Sequence, residues 1–184
     1  MQNHSRLFVA IDLPLEIKEA LQRSQQKLQD ALGHFASYTK RDQMHLTLCF
    51  LGEIENQTIG HIIDRLKSVQ AAPLTLALGG AGIFGSNRNP HVIWIDLKAE
   101  GLAQLAKDVQ SAVLDFMTPD ERAFTSHVTL ARIKRHDPSA DIFELIAHLK
   151  LPSLQFTANE FILYRSEPTA EGAKHVEVDR FKLF

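Results

Sequence analysis

The sequence predicts an α+β fold of two pseudo-symmetric β-α-β-α-β lobes whose antiparallel sheets face a central cleft. Three observations lead there: a repeated order of strands and helices, a His-x-Thr string in each half, and a turn-rich segment between the halves. The apolar run Phe8–Leu13 has a counterpart in Val92–Leu97, 84 positions later, and both close on Ile-Asp-Leu. Pro14 then opens a helical pattern carrying Ile17, Leu21, Leu28 and Leu32, and its counterpart carries Leu102, Leu105, Val109, Val113 and Phe116. The His-x-Thr strings follow, with His45 and His127 82 positions apart. A second helix comes after each, because the stripe Ile59, Ile62, Ile63, Leu66 reappears as Ile142, Leu145, Ile146, Leu149 at an offset of 83. Strand-rich stretches, Leu74–Phe84 and Leu154–Tyr164, stand 80 positions apart, and His175–Phe184 reads as one further strand. Gly79-Gly80-Ala81-Gly82 lacks the following Lys-Ser/Thr of a phosphate loop and reads as a permissive bend in a strand. With Gly85-Ser86-Asn87-Arg88-Asn89-Pro90 as the junction, the chain is one bilobed domain over 1–184, lobe 1 spanning about 1–90 and lobe 2 about 91–184. Equivalent positions of the lobes come together, so the two histidines are expected to face each other across the cleft.

The composition, 45% hydrophobic and 23% charged over 184 residues, is that of a globular protein with a sizeable core. No stretch approaches the roughly 20 apolar residues of a membrane span, and Met1–Arg6 lacks the apolar run of a secretory signal, so a cytoplasmic location and no membrane partner are expected. The one cysteine, Cys49, lies between Leu48 and Phe50 and reads as a small buried hydrophobe. A net charge of -2 gives no global attraction for nucleic acid, so an RNA-type ligand needs a local basic patch. Lys40 and Arg41 before the first string, and Arg132, Lys134 and Arg135 after the second, supply candidates. The internal duplication already provides a two-fold pairing, so a monomer is expected.

His45-Leu46-Thr47-Leu48 and His127-Val128-Thr129-Leu130 carry the chemistry. In a strand, His45 and Thr47 share one face while Leu46 and Leu48 share the other, and likewise His127 and Thr129 against Val128 and Leu130. A polar pair backed by apolar residues is a half-buried strand lining a cavity. Imidazole titrates near pH 6.5, so one ring can accept a proton while another donates one. Phosphodiester hydrolysis needs both at once, a base for the attacking water and an acid for the departing oxygen. The threonine hydroxyls are suited to non-bridging phosphate oxygens. A metal site is the competing reading, with Asp12 and Asp96 as symmetric candidates for a third ligand. Those aspartates read more simply as strand-end or capping residues, and no close helical His pairing is present.

The paired His-hydrophobic-Thr-Leu strings resemble those of the two-histidine (2H) phosphoesterase superfamily. Arg6–Pro14, His45–Glu53, His127–Arg132 and Phe161–Ser166 make the whole chain resemble the bacterial and archaeal RNA 2',3'-cyclic phosphodiesterases, often labelled 2'-5' RNA ligases. The resemblance implies a LigT-like fold and metal-free, cofactor-free opening of a 2',3'-cyclic phosphate, on RNA ends or nucleotides, to a 2'-phosphomonoester. It implies His45 as proton donor to the 3'-oxygen, His127 as acceptor from water, and Thr47, Thr129 and Arg132 as phosphate-binding residues. It also implies ligase activity, in which the same two proton transfers join a cyclic end to a 5'-hydroxyl. Two features of this chain depart from simple expectation. Strict alternation from His127 puts Arg132 on the opposite face, so its role requires the strand to end, bulge or twist. Relatives often have proline where this chain has Ser126, a position expected to need neither donor nor acceptor. Other readings are a phosphodiesterase for another small cyclic phosphate or a 2',5'-oligonucleotide, and a non-catalytic RNA-end binding module. Binding alone would favour arginines over the histidine pair. The remaining histidines, His91 and His175 among them, read as structural, and most phenylalanines read as core.

Overall fold

The computed structural model describes residues 3–86, 89–118, 123–135, 141–170 and 172–184; Asn87 and Arg88 of the expected junction lie outside these. In chain order the elements are β1 (His4–Asp12), α1 (Leu15–Leu32), β2 (Ala36–Tyr38), β3 (His45–Glu55), α2 (Ile59–Leu66), β4 (Leu74–Ser86), β5 (Asn89–Lys98), α3 (Leu102–Val113), β6 (Val128–Ile133), α4 (Ile142–Ala147), β7 (Gln155–Ala158), β8 (Glu160–Thr169) and β9 (Gly172–Lys182). They form two antiparallel sheets, ordered β3-β1-β8-β9 and β2-β6-β5-β4-β7.

The α+β class and the order of elements match the expectation, but the sheets are assembled by exchange. The first-half strand β4 pairs with β5, while the second-half strand β8 pairs with β1. The trio β3-β1-β8 therefore mirrors β6-β5-β4, each with one strand from the other half. The division into 1–90 and 91–184 describes the repeat, whereas each sheet draws on both halves. Helix packing crosses over in the same way, α1 lying against β6 and α3 against β3.

Side-chain pattern explains why the crossing helices settle there. On α1 the stripe Ile17, Leu21, Leu28 and Leu32 is buried, together with the polar Ser24 and Gln25. A buried amide needs partners, and Gln25 Nε2 donates to the carbonyls of Thr39 and Leu130, each at 2.8 Å. Ser24 Oγ reaches the Lys150 carbonyl at 3.2 Å. Gly33, with φ of 46°, ends the helix in a conformation that favours glycine. The first sheet curls until its opposite edges approach, since the Gln43 side-chain amide before β3 donates to the Ala173 carbonyl on β9.

Several local features differ from the sequence expectation. Three-residue β2 is too short for alternation to show. The stretch Leu154–Tyr164 divides at Asn159 into β7 and β8, which belong to different sheets. Phe116 lies in a 3-10 turn beyond α3, and α4 stops at Ala147, where His148 Nδ1 bonds the Glu144 carbonyl at 2.9 Å. The Gly79–Gly80 pair behaves as a bend, with two residues opposing Asp96 alone. Among the described residues no helix is long and apolar enough to cross a membrane.

Candidate active site

Both histidines are held by the same backbone device. His45 Nδ1 lies 2.7 Å from the Gln43 carbonyl, and His127 Nδ1 lies 2.8 Å from the Thr125 carbonyl, two residues upstream in each case. A carbonyl only accepts, so each Nδ1 carries the hydrogen and each Nε2 is left to exchange a proton. His45 opens β3, while His127 stands one residue before β6.

Directly after each threonine the strand bulges. Thr47 pairs with Ala10 and Cys49 with Val9, leaving Leu48 as the extra residue. Thr129 pairs with Trp94 and Ala131 with Ile93, leaving Leu130 extra, 82 positions on. A one-residue bulge reverses the alternation beyond it. Leu48 and Cys49 are both buried, as are Leu130 and Ala131, so the next residues, Phe50 and Arg132, turn to the face of the histidines. Phe50 is 55% exposed and 6.0 Å from the Phe8 ring, itself 4.9 Å from His45. Arg132 is exposed and close enough for its charge to act on His127. The bulge thus supplies the condition that Arg132 required. The Leu130 carbonyl accepts from Thr39 N–H at 2.9 Å as well as from Gln25, which fixes the second bulge.

The exchanged strands wall in the rings. Tyr164 on β8 lies 6.4 Å from His45, and Phe84 on β4 lies 4.8 Å from His127, edge-on; these aromatics stand 80 positions apart in the repeat. Trp94 packs 5.3 Å from Phe84 and 6.4 Å from His127. Its indole lies over Gly82, where a Cβ would meet Trp94 Cζ2 at 2.4 Å. His175, on β9, stands edge-on to His45 at 5.2 Å and to Phe8 at 4.9 Å. The sheet's curl carries His175 to the first histidine, a contact no local pattern reveals.

Electrostatics follow from this enclosure. Burial pushes His45 down to about 4, partly opposed by the Gln43 carbonyl and Asp12 and reinforced by His175 and Lys18. Burial also lowers His127, opposed by the Thr125 carbonyl and reinforced by Arg132. Both rings are neutral at pH 7 in the unliganded site. Asp12, a sequence candidate for a metal ligand, is tied to Lys18 Nζ at 2.7 Å. Asp96 stands opposite the glycine pair in the second sheet. Thr47 is buried and Thr129 half-buried, and among the described residues no hydrogen-bond partner engages either hydroxyl.

Ser126 overturns the expectation that its position needs no donor or acceptor. Its Oγ donates to the Leu97 carbonyl at 2.5 Å and accepts from the Leu97 N–H at 3.2 Å. The β5–β6 ladder ends at the pair Ile95–Val128, so the hydroxyl replaces the next strand partner for buried Leu97 and ties down the residue beside His127.

Comparison with known proteins agrees with this architecture. The sequence model of the LigT-like phosphoesterases matches twice, over residues 11–94 and 95–175. A relative from Archaeoglobus fulgidus named RNA 2',3'-cyclic phosphodiesterase is 34% identical, over 96% of this chain and 99% of its own length. A crystal structure of a Thermus thermophilus protein superposes with a TM-score of 0.82 at 27% identity, covering 96% of this chain and 97% of that one. Escherichia coli LigT complexed with 3'-AMP superposes with a TM-score of 0.80 at 27% identity, covering 98% of both chains.

Two substitutions test how the second histidine is held. Ser126→Ala leaves both polar groups of buried Leu97 without their partner, so thermal or urea unfolding should show a loss of about 1–3 kcal/mol; unchanged stability would deny the hydroxyl this role. Gly82→Ala forces the indole off the strand at a cost of about 1–3 kcal/mol. Because Trp94 is the one tryptophan, its emission spectrum should shift in the folded variant, and an unaltered spectrum would contradict the close packing.

Proposed function

The chain belongs to the LigT-like phosphoesterase family, and we propose that it is an RNA 2',3'-cyclic phosphodiesterase that works by two-histidine acid–base catalysis without a metal. The observation that carries this reading is the duplicated latch, which leaves two Nε2 atoms free for proton exchange beside two unengaged threonine hydroxyls. His127 takes a proton from water as its oxygen attacks phosphorus. The bond from phosphorus to the 3'-oxygen breaks, His45 supplies the proton to that oxygen, and the phosphate stays on the 2'-oxygen. Thr47 and Thr129 hold the non-bridging oxygens and Arg132 offsets their charge. Phe50 offers a stacking face to the terminal base. With a 5'-hydroxyl in place of water as the nucleophile, the same two transfers in the same direction form a 2'-5' linkage.

The lowered histidines give the mechanism its order. Burial favours the neutral form of both rings, so the acid acquires its proton together with the anionic substrate, whose negative charge favours the imidazolium. Binding energy of the phosphate and protonation of His45 are therefore coupled.

The direct experiment offers the protein 2',3'-cyclic AMP in EDTA and identifies the isomer formed. We expect 2'-AMP, and a loss of kcat of at least about a hundredfold in His45→Ala or His127→Ala. Inactivity restored only by a divalent metal, a 3'-phosphate product, or full turnover by either variant would overturn the reading. A pH series adds a second test. Both free-protein values lie below 6.5, so kcat/KM should peak on the acid side of 6.5. The basic limb of kcat should lie at higher pH than that of kcat/KM, because bound phosphate raises the acid. Coincident limbs would show that substrate does not raise it.

A further inference from the structure

Beyond the site, β6 leads into a strip of cations that the proposed reaction does not use. After Arg132, which pairs in register with Ser37 of the edge strand β2, the ladder is extended by Lys134 N–H and Arg135 N–H to the Phe35 carbonyl, at 2.8 and 3.3 Å. The Arg135 guanidinium lies 5.3 Å over the Phe35 ring, and the exposed His34 ring stacks on the same phenylalanine at 4.4 Å. Elsewhere on the surface Arg41, Arg65, Arg165 and Arg180 each face a carboxylate. Arg132, Lys134 and Arg135 are all exposed, and among the described residues they have no carboxylate partner. In a chain of net charge -2, Lys134 and Arg135 continue outward from Arg132 with no carboxylate paired to them among the described residues, and with a stack of rings beside them they form a local anion track.

We infer that this β2–β6 edge binds the RNA strand leading to the terminal cyclic phosphate, its backbone along Lys134 and a base against the outer faces of the His34–Phe35–Arg135 stack. A groove that neutralises phosphates beside stacking planes is the general means of holding a single strand without reading its sequence. From Thr129 to Lys134 the strand advances roughly 16 Å, enough to engage nucleotides upstream of the one being hydrolysed. The track rests on the phosphodiesterase reading and deepens it: it makes polymer ends the preferred substrate and leaves a cyclic mononucleotide dependent on the site alone.

The test compares 2',3'-cyclic AMP with a short oligoribonucleotide ending in a 2',3'-cyclic phosphate, using the full chain and the exposed double variant Lys134→Ala/Arg135→Ala. The variant should raise KM for the oligonucleotide about tenfold or more and leave kcat/KM for the mononucleotide within about twofold. Its slope of log(kcat/KM) against log salt for the oligonucleotide should be shallower by about 0.7, the loss of the one single-strand phosphate contact assigned to Lys134. Equal effects on both substrates, or an unaltered protein that does not prefer the oligonucleotide, would overturn the track and leave the phosphodiesterase reading intact. Failure of the unaltered protein to hydrolyse either substrate would overturn both.

Discussion

The pairing of β1 with β8 is the contact on which the remaining architecture rests. It joins Phe8 of the first half to Tyr164 of the second, and its counterpart joins β4 to β5. Because each sheet is completed by the other half's strand, neither half can bury its apolar surface alone, and helices α1 and α3 each pack on the other half's histidine strand, β6 and β3. The surroundings of the two histidines are a product of that exchange. Each histidine strand has its own half's first strand beside it, and the exchanged strand beyond brings an aromatic wall, Tyr164 for one ring and Phe84 for the other. Burial of the two imidazoles draws on both halves, with Phe8 and Trp94 from the histidine's own half and Tyr164 and Phe84 from the other.

The bulges at Leu48 and Leu130 supply the remaining asymmetry. Backbone symmetry is kept, yet the residue that each bulge turns outward differs: an aromatic, Phe50, in one copy and a cation, Arg132, in the other. One repeated backbone event therefore produces two chemically distinct walls, one apolar and one charged. Gln25 secures the charged side by donating to the Leu130 carbonyl that the bulge turns away from the ladder.

The duplication is legible in the sequence because apolar spacing survives divergence: the stripe from Ile59 to Leu66 and its copy from Ile142 serve the same packing need. The histidines and threonines are legible because their pattern recurs at the same place in that repeat. What stays hidden depends on register or on curvature. Phe50 resembles core in the sequence because strict alternation has no provision for an extra residue, and the same limit leaves Arg132 on the wrong face. His175 approaches His45 only because a sheet curls across its full width. Ser126 acts through a hydroxyl that replaces a missing strand partner, and a single serine in a loop carries no mark of that duty. The strand exchange itself leaves no trace in periodicity, since β4 and β8 read identically whichever sheet receives them.

The pairing of Phe8 with Tyr164 also bears on how the chain reaches its native state. A ribosome delivers the first half, helices and histidine strand included, well before β8 exists. Until then β1 has one open edge. Contacts between residues so distant in sequence slow folding and prolong the exposure of unpaired edges. The first sheet thus cannot be completed until the strand that carries Tyr164 has been made.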